Sequence, residues 1–334
     1  MSDAPIGLLL VNLGTPDAAD VPSVRRFLAQ FLSDPRVVEI PRFLWLPLLH
    51  GVILNTRPAK SAKAYARIWN NETGEGPLRA ITRMQAEKLG VLAQGGALGS
   101  AAIIVDYAMR YGAPTLSTGI EALCAKGCER VLVLPLYPQY AASTTATAFD
   151  EIARVLGKMR RQPTLRFAPP YFDDAAYIEA LAQGMREGLA ALDFQPEVIV
   201  ASFHGLPRFQ IDKGDPYRTH CEITWRLLRE AMGLDERQLR LSFQSRFGRA
   251  KWLEPYTADT VAELAKSGVK RLAMIAPGFS ADCLETIEEL GVDIRDLFLR
   301  AGGEKFAHIP CLNDGEAGMR LLATLARREL AGWA

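Results

Sequence analysis

The stretch EVIVASFHGLP (197–207) ends an apolar, β-branched run on His204, just before a Gly-Leu-Pro turn. An imidazole at such a place can accept a proton near neutral pH or ligate a metal. The same position also suits a core histidine bonded to a backbone carbonyl. His50 and His308 sit in no constellation, and His220, on a helix beginning near Pro216, is expected to be solvated. A second stretch, PGFSADCLETIEELGVD (277–293), reads as a helix capped by Ser280 or Asp282. At about 100° per residue, Asp282, Glu285, Glu289 and Asp293 share one face, with Leu284, Ile287 and Leu290 on the other. Such a face is either a solvated acidic surface or, turned into a cleft, a carboxylate ladder that passes divalent cations or protons. One imidazole with oxygen ligands makes a weak, open metal site suited to delivery. LYPQYAASTT (136–145) and FQSRFG (243–248) set aromatic, amide and hydroxyl groups beside strand ends. They could line a slot for a flat apolar ligand or simply pack a core.

The elements that must hold these groups alternate. Short apolar runs at 6–13, 101–109, 131–136, 197–203, 239–244 and 270–277 are separated by helix-period stretches such as 114–127 and 255–268. That pattern predicts βαβ units and an α/β fold with parallel sheets. The halves also mirror each other: LLLVNLGTP (8–16) with VIVASFHGLP (198–207), MRYGAP (109–114) with QSRFGRA (244–250), and KGCERVLVLPLYPQY (126–140) with SGVKRLAMIAPGFSADC (267–283). Asn12 and Arg110 are 98 positions apart and His204 and Arg246 only 42, which places an insertion of about 56 residues (98 − 42) near 20–80. Two doubly wound domains follow, whose strand ends would offer ligand sites.

Composition narrows the function. A formal charge of +1 gives no basic excess for nucleic acid. NLGTPD after the first strand lacks G-x-G-x-x-G, and no G-x-x-x-x-G-K-[ST] occurs, so nucleotide binding has no support. The five cysteines at 124, 128, 221, 283 and 311 read as reduced thiols. No secretory leader is legible in MSDAPIGLLLVNLG, and the apolar window 43–54 is shorter than the ~20 residues of a membrane span. A cytoplasmic protein is expected, with 43–54 either a lip that touches a membrane surface or a core helix.

Taken together, LLLVNLGTPDA, FLSDPRVVEIP (31–41), YPQYAASTT, SFHGLP with KGDPY (213–217), FQSRFGRAKWLEPYT (243–257) and PGFSADCLETIEEL (277–290) resemble the ferrochelatases, nearly end to end. These enzymes insert ferrous iron into a porphyrin to form haem. The resemblance implies two facing Rossmann-like, chelatase-like domains, 1–165 plus 312–334 and 166–311, with a C-terminal helix near 314–332 returning to the first. It implies His204 as catalytic base and metal contact, and Glu285 as the carboxylate across the macrocycle. Glu289 and Asp293 become the metal or proton path. Arg57, Lys60 and Ser245 match positions that meet the porphyrin propionates, while Tyr65, Arg110 and Tyr137 match pocket residues. Iron is then a substrate rather than a resident cofactor. With no cysteine beyond Cys311 and Ala142 in the YAASTT stretch, no 2Fe–2S cluster is expected. The family's Gly-Ser-Pro turn is replaced by Gly-Glu-Gly-Pro at 74–77. A monomer acting on protoporphyrin IX is expected. The rivals are a cobalt or nickel chelatase of another tetrapyrrole and a non-catalytic haem or metal carrier.

Overall fold

The computed structural model describes residues 4–248 and 250–333. It contains two four-stranded sheets, each wholly parallel. In the first, β1 (Ile6–Gly14), β2 (Ile103–Tyr111), β3 (Arg130–Pro135) and β4 (Thr164–Phe167) lie in the order β2-β1-β3-β4. In the second, β5 (Val198–His204), β6 (Leu239–Gln244), β7 (Arg271–Ile275) and β8 (Lys305–His308) lie in the order β6-β5-β7-β8. The strands are near-continuous apolar runs because helices cover both faces of a parallel sheet. Leu9, Val11 and Val133 pack on Leu116, Ile120 and Ile152 in the first sheet. Val200, Leu272 and Met274 pack on Val261, Leu290 and Phe298 in the second.

The identical strand order makes the chain one unit used twice. Gly14-Thr15-Pro16 follows the turn out of β1 as Gly205-Leu206-Pro207 follows β5, so Leu13 and His204 hold equivalent places. Asn12 pairs with Met109 and Gly14 with Tyr111, while Phe203 pairs with Phe243 and His204 with Gln244. Arg110 is therefore the counterpart of Gln244, and Tyr111 of Ser245. The register thus sets Arg110 against Gln244, two residues before the Arg246 that the sequence mirror suggested. After β3 and again after β7 the chain enters a π-helix, at Ala142–Ala146 and Glu285–Ile294.

Contacts divide the chain into two compact units. One takes in Met1–Tyr137, Ala141–Pro169 and Leu322–Ala334; the other takes in Pro138–Tyr140 and Pro170–Leu321. In the first unit the long segment between β1 and β2 forms α1 (Val21–Ser33), α2 (Arg42–Leu48), α3 (Leu54–Ile68) and α4 (Pro77–Gln94). Asp20 caps α1 by accepting the Ser23 N–H. Pro47 interrupts the helical ladder, and a π-helical turn at Leu49–Ile53 joins α2 to α3. Residues 43–54 do not form a core helix. Trp45, Leu49 and Leu54 are buried, whereas Phe43 is 77%, Leu44 58% and Val52 51% exposed. Among the described residues no helix is long and apolar enough to cross a membrane.

Candidate active site

His204 is the last residue of β5, the strand between β6 and β7, and it is half-buried where Phe203 before it is fully buried. Its Nδ1 lies 2.6 Å from the Gly205 carbonyl oxygen. A carbonyl only accepts, so Nδ1 carries the proton and Nε2 is left with the lone pair in the neutral ring. The Gly205 N–H donates to the Gln244 carbonyl at 2.8 Å. A Cβ at position 205 would meet that oxygen at 2.7 Å and Trp252 Cε3 at 3.2 Å, so the backbone passes through a gap only glycine fits.

The acidic stretch is not the α-helix the pattern predicts. It begins at Glu285 and runs as a ten-residue π-helix to Ile294. Such i→i+5 winding is rare and concentrates at functional sites. Asp282 lies before it and is buried, which takes it out of the acidic row. Its carboxylate accepts from Thr286 Oγ1 at 2.8 Å and Asn313 Nδ2 at 2.7 Å. The Asn313 side-chain oxygen in turn accepts the Asp282 N–H at 2.8 Å. Asp282 thus ties the entry loop to the segment after β8. From the other side, Gln244 Nε2 donates to the Glu285 carbonyl at 3.1 Å.

Ser245 is tied to the acidic helix. Its N–H donates to Glu289 Oε1 at 2.7 Å and its hydroxyl to Oε2 at 2.6 Å, so both donors serve one carboxylate. The turn that allows this has φ +65° at Ser245, a left-handed conformation uncommon outside glycine. Burial pushes the Glu289 pKa up; the Ser245 donors and the His204 charge pull it down, and the Glu285 charge adds to the rise. That mutual influence places His204, Glu285 and Glu289 in one electrostatic neighbourhood. Asp293 lies two steps of four further along the same helix. Among the described residues no group of three His, Cys, Asp or Glu side chains could hold a metal ion. The three groups are therefore neighbours rather than a closed cage.

The remaining predicted residues belong to the other unit. Arg110, one residue before the end of β2, places its guanidinium on Asp34, and its Nε donates to the Thr147 carbonyl at 3.0 Å. The same Asp34 oxygen accepts from Thr147 Oγ1 and, at 2.8 Å, from the Tyr111 hydroxyl. Burial opposes the Asp34 charge, yet the Thr147, Arg36 backbone and Tyr111 donors and the Arg110 charge hold its pKa below the ordinary range. Tyr137 follows β3 and is nine-tenths buried. Arg57, Lys60 and Tyr65 all lie on α3, with Lys60 exposed and Tyr65 packed edge-on to Phe27 and Trp69. Glu75, in the divergent 74–77 turn, is paired with Arg79 and Arg83. His220 is not solvated. Its ring stacks on Phe172 at 3.6 Å, its Nδ1 accepts the Tyr140 N–H at 3.2 Å, and burial lowers its pKa. Sequence reasoning missed Asp34, Gln244 and Trp252. Only the place of Gln244, one residue before Ser245 at a strand end, could have drawn attention.

The ferrochelatase family pattern matches residues 5–330. This chain belongs to the ferrochelatase family. The ferrochelatase of Bradyrhizobium diazoefficiens is 54% identical over 329 residues, covering 98% of this chain and 94% of that protein. The ferrochelatase of Nitrobacter hamburgensis is 55% identical over the same length and the same shares. Among solved structures, SirB from Bacillus subtilis with Fe3+ superposes with a TM-score of 0.58 at 14% identity, covering 98% of this chain and 97% of that one. At that identity the likeness speaks to the fold, a chelatase-like α/β arrangement.

Proposed function

We propose that His204 takes the pyrrole protons, and that Glu285, backed by Glu289 and Asp293, receives the metal, in the reaction this ferrochelatase-family chain carries out: insertion of Fe2+ into a porphyrin to form haem, with release of two protons. The observation that carries this reading is the Nδ1 contact of His204 with the Gly205 carbonyl. It aims an unprotonated Nε2 away from the backbone, in the electrostatic neighbourhood of Glu285 and Glu289. Each N–H bond of the macrocycle breaks as its nitrogen bonds iron, and the proton moves to Nε2. The imidazolium then passes the proton to Glu289, whose raised pKa suits a carboxylate that accepts and releases it. Iron keeps its oxidation state throughout, so the chemistry calls for no electron from a 2Fe–2S cluster.

A flat macrocycle hides its nitrogen lone pairs. Bending it costs about 1–5 kcal/mol, which remote binding energy can supply. Arg57 and Lys60 on α3 are suited to clamp the propionates, and Tyr65, Arg110 and Tyr137 to shape the wall for the ring. Ser245 is assigned instead to Glu289. We assign protoporphyrin IX rather than coproporphyrin III as the substrate. Phe43, Leu44 and Val52, exposed together on the α2–α3 segment, favour peripheral contact with a membrane surface, where so apolar a substrate would be met. His204, Ser245, Glu285 and Glu289 come from a single chain, so a monomer suffices.

The decisive experiment is anaerobic turnover with Fe2+ or Co2+ against both porphyrins, for the native protein and for His204→Ala. Haem formation from protoporphyrin, lost in a folded His204→Ala protein that still binds porphyrin, is the expected result. Near-native turnover in that variant overturns the mechanism, and preference for Co2+ overturns the metal assignment. Cosedimentation with anionic lipid vesicles should fall when Phe43 and Leu44 are both replaced by Glu. Unchanged sedimentation would remove the membrane contact.

A further inference from the structure

We infer that Gln244 is a positioning residue that fixes the spacing between the His204 imidazole and the Glu285 end of the π-helix, through one closed chain of buried hydrogen bonds. The inference rests on the roles just assigned to His204 and Glu285, and it concerns a residue that contacts neither metal nor porphyrin.

Gln244 ends β6 directly opposite His204 and is only 3% exposed. Its backbone carbonyl and both side-chain polar atoms are committed. The backbone carbonyl accepts the Gly205 N–H at 2.8 Å, and Gly205 carries the oxygen that orients the imidazole. Oε1 accepts from Ser202 Oγ at 2.9 Å, and Nε2 donates to the Glu285 carbonyl at 3.1 Å. Beyond Ser202 the chain continues: Thr257 Oγ1 lies 2.9 Å from Ser202 Oγ and 2.9 Å from Ser242 Oγ. These three hydroxyls are also buried.

The donors run in one direction. The Glu285 carbonyl can only accept, so the amide must present Nε2 to it and Oε1 to Ser202. Ser202 then spends its proton on Gln244 and accepts from Thr257, which accepts from Ser242. Every group is satisfied, and aligned bonds of this kind reinforce one another in a dry interior. An apolar side chain of the same length would fill the space without fixing any of these distances. The chain instead links β5, β6, the helix that starts at Thr257 and the first residue of the π-helix. Its effect falls on the relation between imidazole and carboxylate, and the porphyrin clamps on α3 lie outside it.

The test is Gln244→Met, close in length but without donor or acceptor, with Ser202→Ala and the double variant alongside. Folding is followed by circular dichroism and thermal melting. Positioning predicts a kcat for Fe2+ insertion lower by about ten- to hundredfold with porphyrin KM unchanged. Ser202→Ala should lose less in the same direction, and the double variant should be no worse than Gln244→Met alone, because both cut one chain. Affinity of the ligand-free protein for Co2+, read by calorimetry, should weaken in parallel. A folded Gln244→Met protein with native kcat overturns the inference, as do losses that multiply in the double variant. Should Gln244→Met not fold, native kcat in Ser202→Ala overturns it equally. Absence of haem formation by the native protein would instead defeat the functional reading, and the Co2+ affinities would still judge Gln244.

Discussion

Gly205→Ala is the smallest change that should disable the proposed base without touching it. The new methyl would stand 2.7 Å from the Gln244 carbonyl oxygen, whereas ordinary contact begins at 3.4 Å. Relief needs a shift of about 0.7 Å (3.4 − 2.7) between two stretches of backbone, with Trp252 closing the other side at 3.2 Å. The Gly205 N–H bonds that same oxygen at 2.8 Å, so a shift of that size takes the bond to the limit of a hydrogen bond. Overpacking of this kind costs about 1–3 kcal/mol, and the weakened bond adds about 1 kcal/mol. Melting should therefore drop by several degrees while the fold survives. The larger effect is on rate. His204 takes its orientation from the Gly205 carbonyl, and a misplacement of about 1 Å costs on the order of a hundredfold. Steady-state haem formation under anaerobic conditions should show kcat down by tens-fold with porphyrin KM little changed. Native kcat in a variant that melts lower would show that the Gly205 carbonyl does not set the imidazole, and the reasoning would fail.

Two further outcomes follow from the buried networks. Asp34→Asn strands the Arg110 guanidinium and should cost about 3–5 kcal/mol in denaturant unfolding at neutral pH. Because the Asp34 pKa is depressed, its contribution is present above the ordinary carboxylate range and is lost as pH falls through its lower folded value; variant and native stabilities should converge in acid, and a constant gap would contradict the network. Ser245→Ala removes one of the donors that hold the Glu289 pKa down, so the Glu289 pKa should rise further and the acidic limb of the pH–rate profile should move to higher pH; an unmoved limb would detach Ser245 from Glu289.

The sequence made the repeated α/β unit legible because buried parallel strands are long apolar runs, and His204 legible because it ends one of them. β4 (TLRF) and β8 (KFAH) escaped notice, each being four residues without an apolar run. Asp282 was misplaced because a uniform 3.6-residue period was assumed for a segment that starts three residues later and winds as a π-helix, which no pattern of apolar residues announces. The bond of Ser245 to Glu289 could not be read, since it depends on a left-handed turn and spans 44 positions. Asp34 lies 76 positions from Arg110, and nothing local in FLSDPR names its partner. His220 looked solvated because its helix is polar, while the Phe172 ring and the Tyr140 amide that enclose it come from distant segments.

The shared strand order has a consequence for transplanting the chemistry. The chain contains two copies of one mounting, and at the notch where one carries an imidazole the other carries Leu13. Writing histidine into position 13 would not create a second reaction centre. The bracket around that notch is cut differently, with Arg110 standing in for Gln244 and Tyr111 for Ser245, both already bound to Asp34. What distinguishes the halves is less the single reactive side chain than the fittings behind it.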